Sequence, residues 1–385
     1  MRILVLGADG YVGWPTAMHL ASAGHEVVVV DNYYRRQITA LCGSNTLFEN
    51  PDLPTRAKIF TQECGPEMHV EIGDLTNVNF TSSLIKRLKP DAIVHCAEQP
   101  SAAYSMQGRD EAKSILDNNI NVTFNIIWSV LQHAPDCHLI KIGSIGEYGT
   151  PDIPVPDGWL TVPSDPQEGE ASHEFLFPRE GPTIYHVSKA MSSQLLMFYA
   201  RQYGLRCSNL MQGTIYGLLS AQSSVDERLL PNFYYDCIFG NVVNRFMAQA
   251  IAGVPLTVYG QGAQTRCYQH ITDTLDCIEY AINNPAKKGR MSVQNQYSEM
   301  CSVIDIAQRV QEAAGHMDIS VTICQGDCPS EDCDEHPYDI AHTPLEDMGL
   351  TPSLLTCEMI TSELEIIQNH ADHILKDKLS LQIAN

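Results

Sequence analysis

The chain has 385 residues, 44% of them hydrophobic, and carries 46 acidic against 24 basic side chains for a formal net charge of −22 at pH 7. That length allows a large core, arranged as two domains or as one domain with a substantial lobe. The acidic balance argues against partners that need a basic face, nucleic acid and anionic membrane among them. No apolar run reaches the ~20 residues that cross a bilayer, and Met1-Arg2 leads straight into a strand pattern instead of a signal sequence. A cytoplasmic location and no membrane partner are expected, with the 13 cysteines read as reduced thiols.

The first element is an apolar run, Ile3-Leu4-Val5-Leu6, that feeds into Gly7-Ala8-Asp9-Gly10-Tyr11-Val12-Gly13. A helical stretch over 15–23 follows, then a second apolar run that ends at Asp31. Strand, glycine turn, helix and strand in that order are the pattern of a dinucleotide site. Gly7 lets the chain turn sharply, Gly10 lets the backbone approach a pyrophosphate, and Gly13 lets the helix pack closely on the strand. The N–H groups at the helix start face the anion. Asp31, 18 residues after Gly13, is placed to accept hydrogen bonds from adenosine ribose hydroxyls and to repel a 2′-phosphate, which favours NAD over NADP. Arg35 and Arg36 pull the other way.

Further short β-rich runs are Met68–Ile72, Ala92–His95 and His138–Ile142, separated by helical patterns at 77–88, 110–133 and 186–203. The alternation predicts an α/β fold, a Rossmann doubly wound parallel sheet with helices on both faces and ligands at the carboxyl ends of the strands. Asp74 follows one strand, where an acid can meet an adenine amino group, and Ala97 and Glu98 follow the next, at the crevice where strand order should reverse. Beyond 217 the pattern is less regular. The expected division is a dinucleotide-binding domain over 1–217 and a smaller, mainly substrate-binding C-terminal lobe over 218–385, with room for one strand to return to the sheet. Cys324, Cys328 and Cys333 cluster with Asp332, Asp334 and His336, but the spacing matches no zinc pattern, so a surface loop and no metal are expected.

Chemistry enters at Tyr185-His186-Val187-Ser188-Lys189. Tyrosine and lysine four apart on a helix project from the same face, and a nearby ammonium lowers a phenol from its usual pKa of about 10. Tyr185 is thereby a candidate base for a hydroxyl proton while hydride leaves for nicotinamide. Ser144, after Ile140-Lys141-Ile142-Gly143, is the expected third member, holding the sugar hydroxyl in place.

These segments resemble a known family. Gly10-Tyr11-Val12-Gly13-Trp14-Pro15, Asp31-Asn32-Tyr33-Tyr34-Arg35-Arg36, Glu98-Gln99-Pro100-Ser101-Ala102, Gly143-Ser144-Ile145-Gly146-Glu147-Tyr148-Gly149-Thr150-Pro151 and the Tyr185–Lys189 run are similar to the UDP-sulfoquinovose synthase branch of the extended short-chain dehydrogenase/reductase superfamily, which comprises nucleotide-sugar epimerases and dehydratases. The likeness continues through Val242–Phe246, Pro255–Gly260, Gln264-Thr265-Arg266 and Asn295-Gln296. It implies tightly held NAD, oxidation at C4 of a UDP-hexose, elimination across C5 and C6, and addition of sulfite at C6 before the hydride returns. It also implies a homodimer paired through two long helices, for which 110–133 and 186–203 are the candidates, although their apolar residues are equally consistent with core burial.

By the same resemblance, Ser144, Tyr185 and Lys189 form the redox triad. Glu147 and His186 are candidates for moving protons at C5 and C6, with a structural carboxylate and a core-facing histidine as the alternatives. The cofactor set becomes Gly7, Gly10, Tyr11, Val12, Asp31, Asn32, Arg35, Arg36, Asp74, Leu75, Ala97, Asn119, Tyr185, Lys189 and Gly213. The substrate set becomes Gln99, Ser101, Gln212, Asn244, Arg245, Thr257, Gln264 and Arg266.

Two departures bear on the substrate. Pro100 stands where the family carries arginine, and Ser330 pairs best with a second family arginine. Each lost charged hydrogen bond costs on the order of 1.5–3 kcal/mol, and neither proline nor serine replaces a guanidinium. The expected enzyme keeps the NAD redox core and acts on an altered sugar substrate, another nucleotide sugar or a less anionic nucleoside or sugar phosphate. The alternatives are a true sulfite-adding synthase and a non-catalytic NAD sensor.

Overall fold

The computed structural model describes residues 1–164, 172–326 and 339–380. Its strands in chain order are β1 (Arg2–Leu6), β2 (Glu26–Asp31), β3 (Met68–Ile72), β4 (Ala92–His95), β5 (His138–Ser144), β6 (Trp159–Pro163), β7 (Ser172–Leu176), β8 (Arg206–Gln212), β9 (Thr214–Tyr216), β10 (Leu256–Tyr259), β11 (Thr265–His270), β12 (Ser292–Gln296), β13 (Glu299–Ser302) and β14 (Ile323–Gly326). The α-helices are α1 (Gly13–Ser22), α2 (Tyr34–Leu41), α3 (Leu53–Cys64), α4 (Val78–Leu88), α5 (Ala102–Ser105), α6 (Arg109–His133), α7 (Ile184–Tyr203), α8 (Val242–Ala252), α9 (Ile271–Asn283), α10 (Val303–His316) and α11 (Cys357–Gln368).

Seven strands form one sheet in the order β12-β8-β5-β4-β1-β2-β3, all parallel. The apolar runs explain this. A strand covered by helices on both faces needs continuous rather than alternating hydrophobicity, and Ile3, Leu4, Val5 and Leu6 are all buried at the sheet centre. Strand order reverses between β1 and β4, so a crevice opens beyond Leu6 and His95.

One face packs Ile126, Ile127, Val130 and Leu196 of α6 and α7 against the strands, and the other packs Trp14, Ala17 and Met18 of α1. The second half of the chain contributes to this layer. β12 pairs with β8 at the edge, and Ile278, Ala281 and Ile282 of α9 share the α1 side of the core. A separate cluster built on α8, α10 and α11, including Phe246, Val310 and Leu364, holds the lobe together.

The helical patterns read from the sequence correspond to α1, α4, α6 and α7. Two more helices, α2 and α3, fill the long connection after β2; α3 is started by Asp52, whose side chain accepts from Thr55 N at 2.9 Å. Cys328, Cys333, Asp332, Asp334, His336 and Ser330 lie outside the described residues.

Candidate active site

A cleft of about 610 Å³ runs along the carboxyl ends of the central strands and is closed on its far side by lobe residues that include Tyr234, Phe239 and Asn244. Its floor is the glycine turn. Gly7 has φ of 79°, and a Cβ there would lie 2.6 Å from Ala97 N, so the turn and the close approach both require glycine. A Cβ on Gly13 would come within 2.1 Å of Gly7 O. At Gly10 the single neighbour within 4 Å would be Gly7 O at 3.1 Å, and the remaining space opens on the cleft. Helix α1 starts beyond it with no side-chain cap on Val12; Trp14 N donates to Gly10 O at 3.2 Å and Pro15 has no N–H, so the amides of Val12 and Gly13 are the ones placed for an anion.

Asp31 stands at the end of β2. Its Oδ2 accepts from Asp9 N at 2.8 Å and its Oδ1 from Tyr33 N at 2.7 Å, which fixes the carboxylate at the cleft wall. Burial, with the Asp9 carboxylate beside it, raises its pKa to about 6, against the pull of those backbone donors. The open cradle at Gly10, the uncapped helix and this acid fit a dinucleotide. A ribose hydroxyl of a bound dinucleotide would donate to this carboxylate, and such binding would favour its ionised form. The affinity for NAD is therefore expected to fall about tenfold as pH drops from 7 to 5, measured by calorimetric titration; a Kd that does not change over that interval would contradict this role for Asp31.

The catalytic candidates meet at the other end of the cleft. Thr183 caps α7, its Oγ1 accepting from His186 N at 3.4 Å, so Tyr185 and Lys189 occupy the first two turns. Lys189 Nζ lies 5.8 Å from the Tyr185 ring centroid and donates to Ile142 O at 2.6 Å and to Glu98. Ser144, at the end of β5, lines the same cleft, and its Oγ accepts from Gly146 N at 3.2 Å. The His186 ring also lines the cleft, packed so closely on Gly146 that a Cβ there would meet Nε2 at 2.4 Å.

The electrostatics correct one expectation. Burial raises the Tyr185 phenol above its ordinary range; Lys189 lowers it, but Glu98 and Glu147 act with burial and the net direction is up. Burial penalises the Lys189 ammonium, and Glu98 and Tyr185 more than restore it, so this lysine stays charged.

Glu147 is corrected more strongly. It does not line the cleft. Its carboxylate is fully buried, ion-paired to Arg179 and 3.5 Å from Lys141 Nζ, and it accepts from Ser193 Oγ at 2.7 Å and Ser144 N at 3.2 Å. The last bond closes a capping box that holds Ser144 at the strand end. With every lone-pair direction engaged, this group braces the site.

Of the remaining cofactor and substrate candidates, Tyr11, Val12, Asn32, Arg35, Asp74, Leu75, Ala97, Gln99, Ser101, Gln212, Gly213, Asn244 and Arg266 line the cleft. Gln212 presents an Oε1 with no hydrogen-bond partner among the described residues. Arg36, Asn119, Arg245, Thr257 and Gln264 do not line it. Arg36 clamps the Asp9 carboxylate at 2.6 and 2.7 Å, tying α2 to the glycine turn. Asn119 is wholly buried and ties Gln99 N, at 2.8 Å, to Ser188 Oγ, at 2.9 Å. In the lobe, Arg245 lies over Phe246 and Tyr259, Thr257 N donates to Gln249 Oε1 at 3.2 Å, and Gln264 is buried. Arg35, read as a lean toward NADP, instead bonds Gln99 and is stacked against Tyr234 and Phe239, at 4.5 and 4.3 Å.

The sequence reading missed Lys141, Arg179 and Asp9 with its second cationic neighbour, the buried Arg56 at 3.6 Å, and placed Glu98 without a role. Lys141 carried a signal, since a lysine between Ile140 and Ile142 in a doubly covered strand needs a buried counter-charge. Away from the cleft, Glu312, His316 and Cys357 bring three ligand-type atoms within 4.8 Å of one another on the lobe.

Comparison with known proteins places this arrangement. The family model described as "NAD dependent epimerase/dehydratase family" matches residues 3–295. The chain is 36% identical over 373 residues to the chloroplastic UDP-sulfoquinovose synthase of Spinacia oleracea, covering 97% of this chain and 77% of that protein. It is 37% identical over 352 residues to the UDP-sulfoquinovose synthase of Sulfolobus acidocaldarius, covering 91% and 88%. The structure is similar to a UDP-glucose 4-epimerase from Bifidobacterium longum solved with NAD+ and UDP, with a TM-score of 0.70 at 18% identity over 97% of this chain and all of that one; at that identity the likeness speaks for the fold. A match of this extent means that the chain is an enzyme of the NAD dependent epimerase/dehydratase family, in its UDP-sulfoquinovose synthase-like branch, with NAD as its cofactor.

Proposed function

We propose that the enzyme oxidises a carbinol of a nucleotide-linked hexose to a ketone, works on the activated sugar, and returns the hydride. The observation that carries this is the convergence of Ser144, Tyr185 and Lys189 on the cleft that also holds the glycine turn and Asp31. NAD, when bound, supplies a ring that takes up a hydride and later gives it back. Ser144 Oγ positions the sugar hydroxyl, and Tyr185 Oη takes its proton in the forward direction and restores it in the reverse. Lys189 holds the positive charge that stabilises the developing phenolate. His186 is placed to move a second proton at a carbon next to the ketone. On this reading residues 1–217 carry the cofactor and the triad, and the lobe mainly covers the sugar.

Pro100 is exposed at the cleft wall and brings no charge to it, which supports a substrate other than that of a sulfite-adding synthase. The 36% and 37% identities support the opposite reading. Incubating the purified enzyme with UDP-glucose, with and without sulfite, separates the two by mass spectrometry. The expected result is no sulfonated product; a sulfonated hexose retires the altered-substrate reading, and UDP-glucose left unconsumed directs the search to other nucleotide sugars and less anionic sugar phosphates.

We also propose a homodimer formed through α6 and α7. Phe124, Val187, Met191, Phe198 and Tyr203 are exposed on these two helices, around an aromatic cluster with Trp128 and Tyr199, and a second copy of the same face would cover them. Phe198→Asp is expected to convert a dimer to a monomer in light scattering; a native monomer would refute it. Among the described residues no helix is long and apolar enough to cross a membrane, and Cys137, Cys207 and Cys277 are free and buried, which supports work in a reducing cytoplasm.

A further inference from the structure

We infer that Glu98 is a positioning residue that sets the ionisation of Tyr185 by holding and partly neutralising Lys189; this rests on Tyr185 being the base proposed above. Glu98 follows β4, Lys189 belongs to α7 and Ile142 to β5, so three separate elements meet at one ammonium. Lys189 Nζ gives one N–H to Glu98 and a second to Ile142 O at 2.6 Å. An ammonium has three donors, so a single direction is left for the side where Tyr185 and the cleft lie. The side chains of Lys189 and Glu98 are 5% and 1% exposed, and at that depth Glu98 acts together with Tyr185 and Glu147 to keep the lysine charged.

The same carboxylate limits how much of that charge reaches the phenol. Other groups face this pair from every neighbouring element. On α7 are His186 and the Ser192 hydroxyl, the latter 3.5 Å from Glu98 Oε1. His95 and Cys96 lie on and after β4, Lys141 on β5, and Glu147 with its partner Arg179 lies behind Ser144. Arg35 of α2, itself facing Tyr234, approaches from across the cleft. Lys141, Arg179 and Lys189 oppose Glu98 and Glu147, so loss of the Glu98 carboxylate enlarges the positive excess beside Tyr185. With Glu98 in place the resting tyrosine is held toward the neutral phenol, the form that donates to a ketone oxygen when the hydride returns.

The test separates charge from position. Glu98→Gln keeps an oxygen for Lys189 and removes the charge, whereas Glu98→Asp keeps the charge but draws it back by one methylene. The ionisation midpoint of Tyr185 is read in the NAD-loaded protein as the tyrosinate ultraviolet difference between each protein and its Tyr185→Phe counterpart. E98Q is expected to lower the midpoint by about one pH unit or more, a tenfold change in the ionisation equilibrium, and E98D to lower it by less. A purely structural glutamate would change the melting temperature and leave the midpoint in place. An unmoved or raised midpoint in folded, NAD-retaining E98Q overturns the inference; should E98Q not fold, an unmoved midpoint in E98D does so. The titration needs no turnover. A protein inert toward UDP-sugars therefore leaves this test intact, and an active enzyme with an unmoved midpoint sinks the role of Glu98 alone.

Discussion

Tyr185→Phe is expected to reduce turnover by about 10²–10⁴-fold, the usual contribution of a positioned acid or base, while the protein keeps its fold and its NAD. The ring lies beside Lys189 and His186 and remains in the variant, so packing is conserved and only the hydroxyl is lost. Tyr185 N, which accepts no part in the chemistry, is bonded to Ser105 Oγ at 3.2 Å and holds the start of α7 whichever side chain is present. Single-turnover formation of reduced cofactor after addition of sugar nucleotide is the direct measurement, with NAD content determined on the same sample. Unchanged turnover in a folded, NAD-loaded variant would remove Tyr185 as the base.

The largest stability effect is expected at Glu147. Replacing it with alanine strands Lys141 and Arg179, whose side chains are 0% and 3% exposed, next to a carboxylate that is no longer there. Breaking a buried pair on one side costs about 3–5 kcal/mol, and here two cations lose the same partner. Denaturant unfolding of the NAD-loaded protein should move to a clearly lower midpoint. If Glu147 instead carried a proton to the sugar, Glu147→Gln would stop turnover even in the fraction that remains folded and NAD-loaded, whereas a bracing role predicts a loss of stability with activity retained in that fraction. The native carboxyl is pushed up by burial, but Lys141, Arg179 and the Ser193 hydroxyl pull it below the usual carboxylate range. Its contribution is therefore fully present at neutral pH and is lost as the solution is acidified through that lowered value.

These two residues mark the boundary of what a linear reading can reach. Tyr185 and Lys189 were legible because helical geometry alone puts positions four apart on one face. Glu147 was legible as a residue near the site, but its role was not, since Arg179 lies 32 positions away and arrives through a loop. The same holds for Glu98 and Lys189, which are separated by 91 positions. Arg36 shows the reverse case: a basic residue after Asp31 reads as a phosphate ligand until the fold supplies Asp9, Asn50 and Pro51 as its partners.

The sequence by itself determined the parallel sheet, the glycine turn, the acid at the end of β2 and the helix carrying tyrosine and lysine, because each depends on local periodicity, backbone freedom or fixed spacing. Tertiary structure alone decided which buried charges pair, which candidates reach the cleft, and how strongly Lys189 acts on Tyr185. Those outcomes depend on through-space distance and on loss of water, and neither quantity is a property of any stretch of chain read on its own.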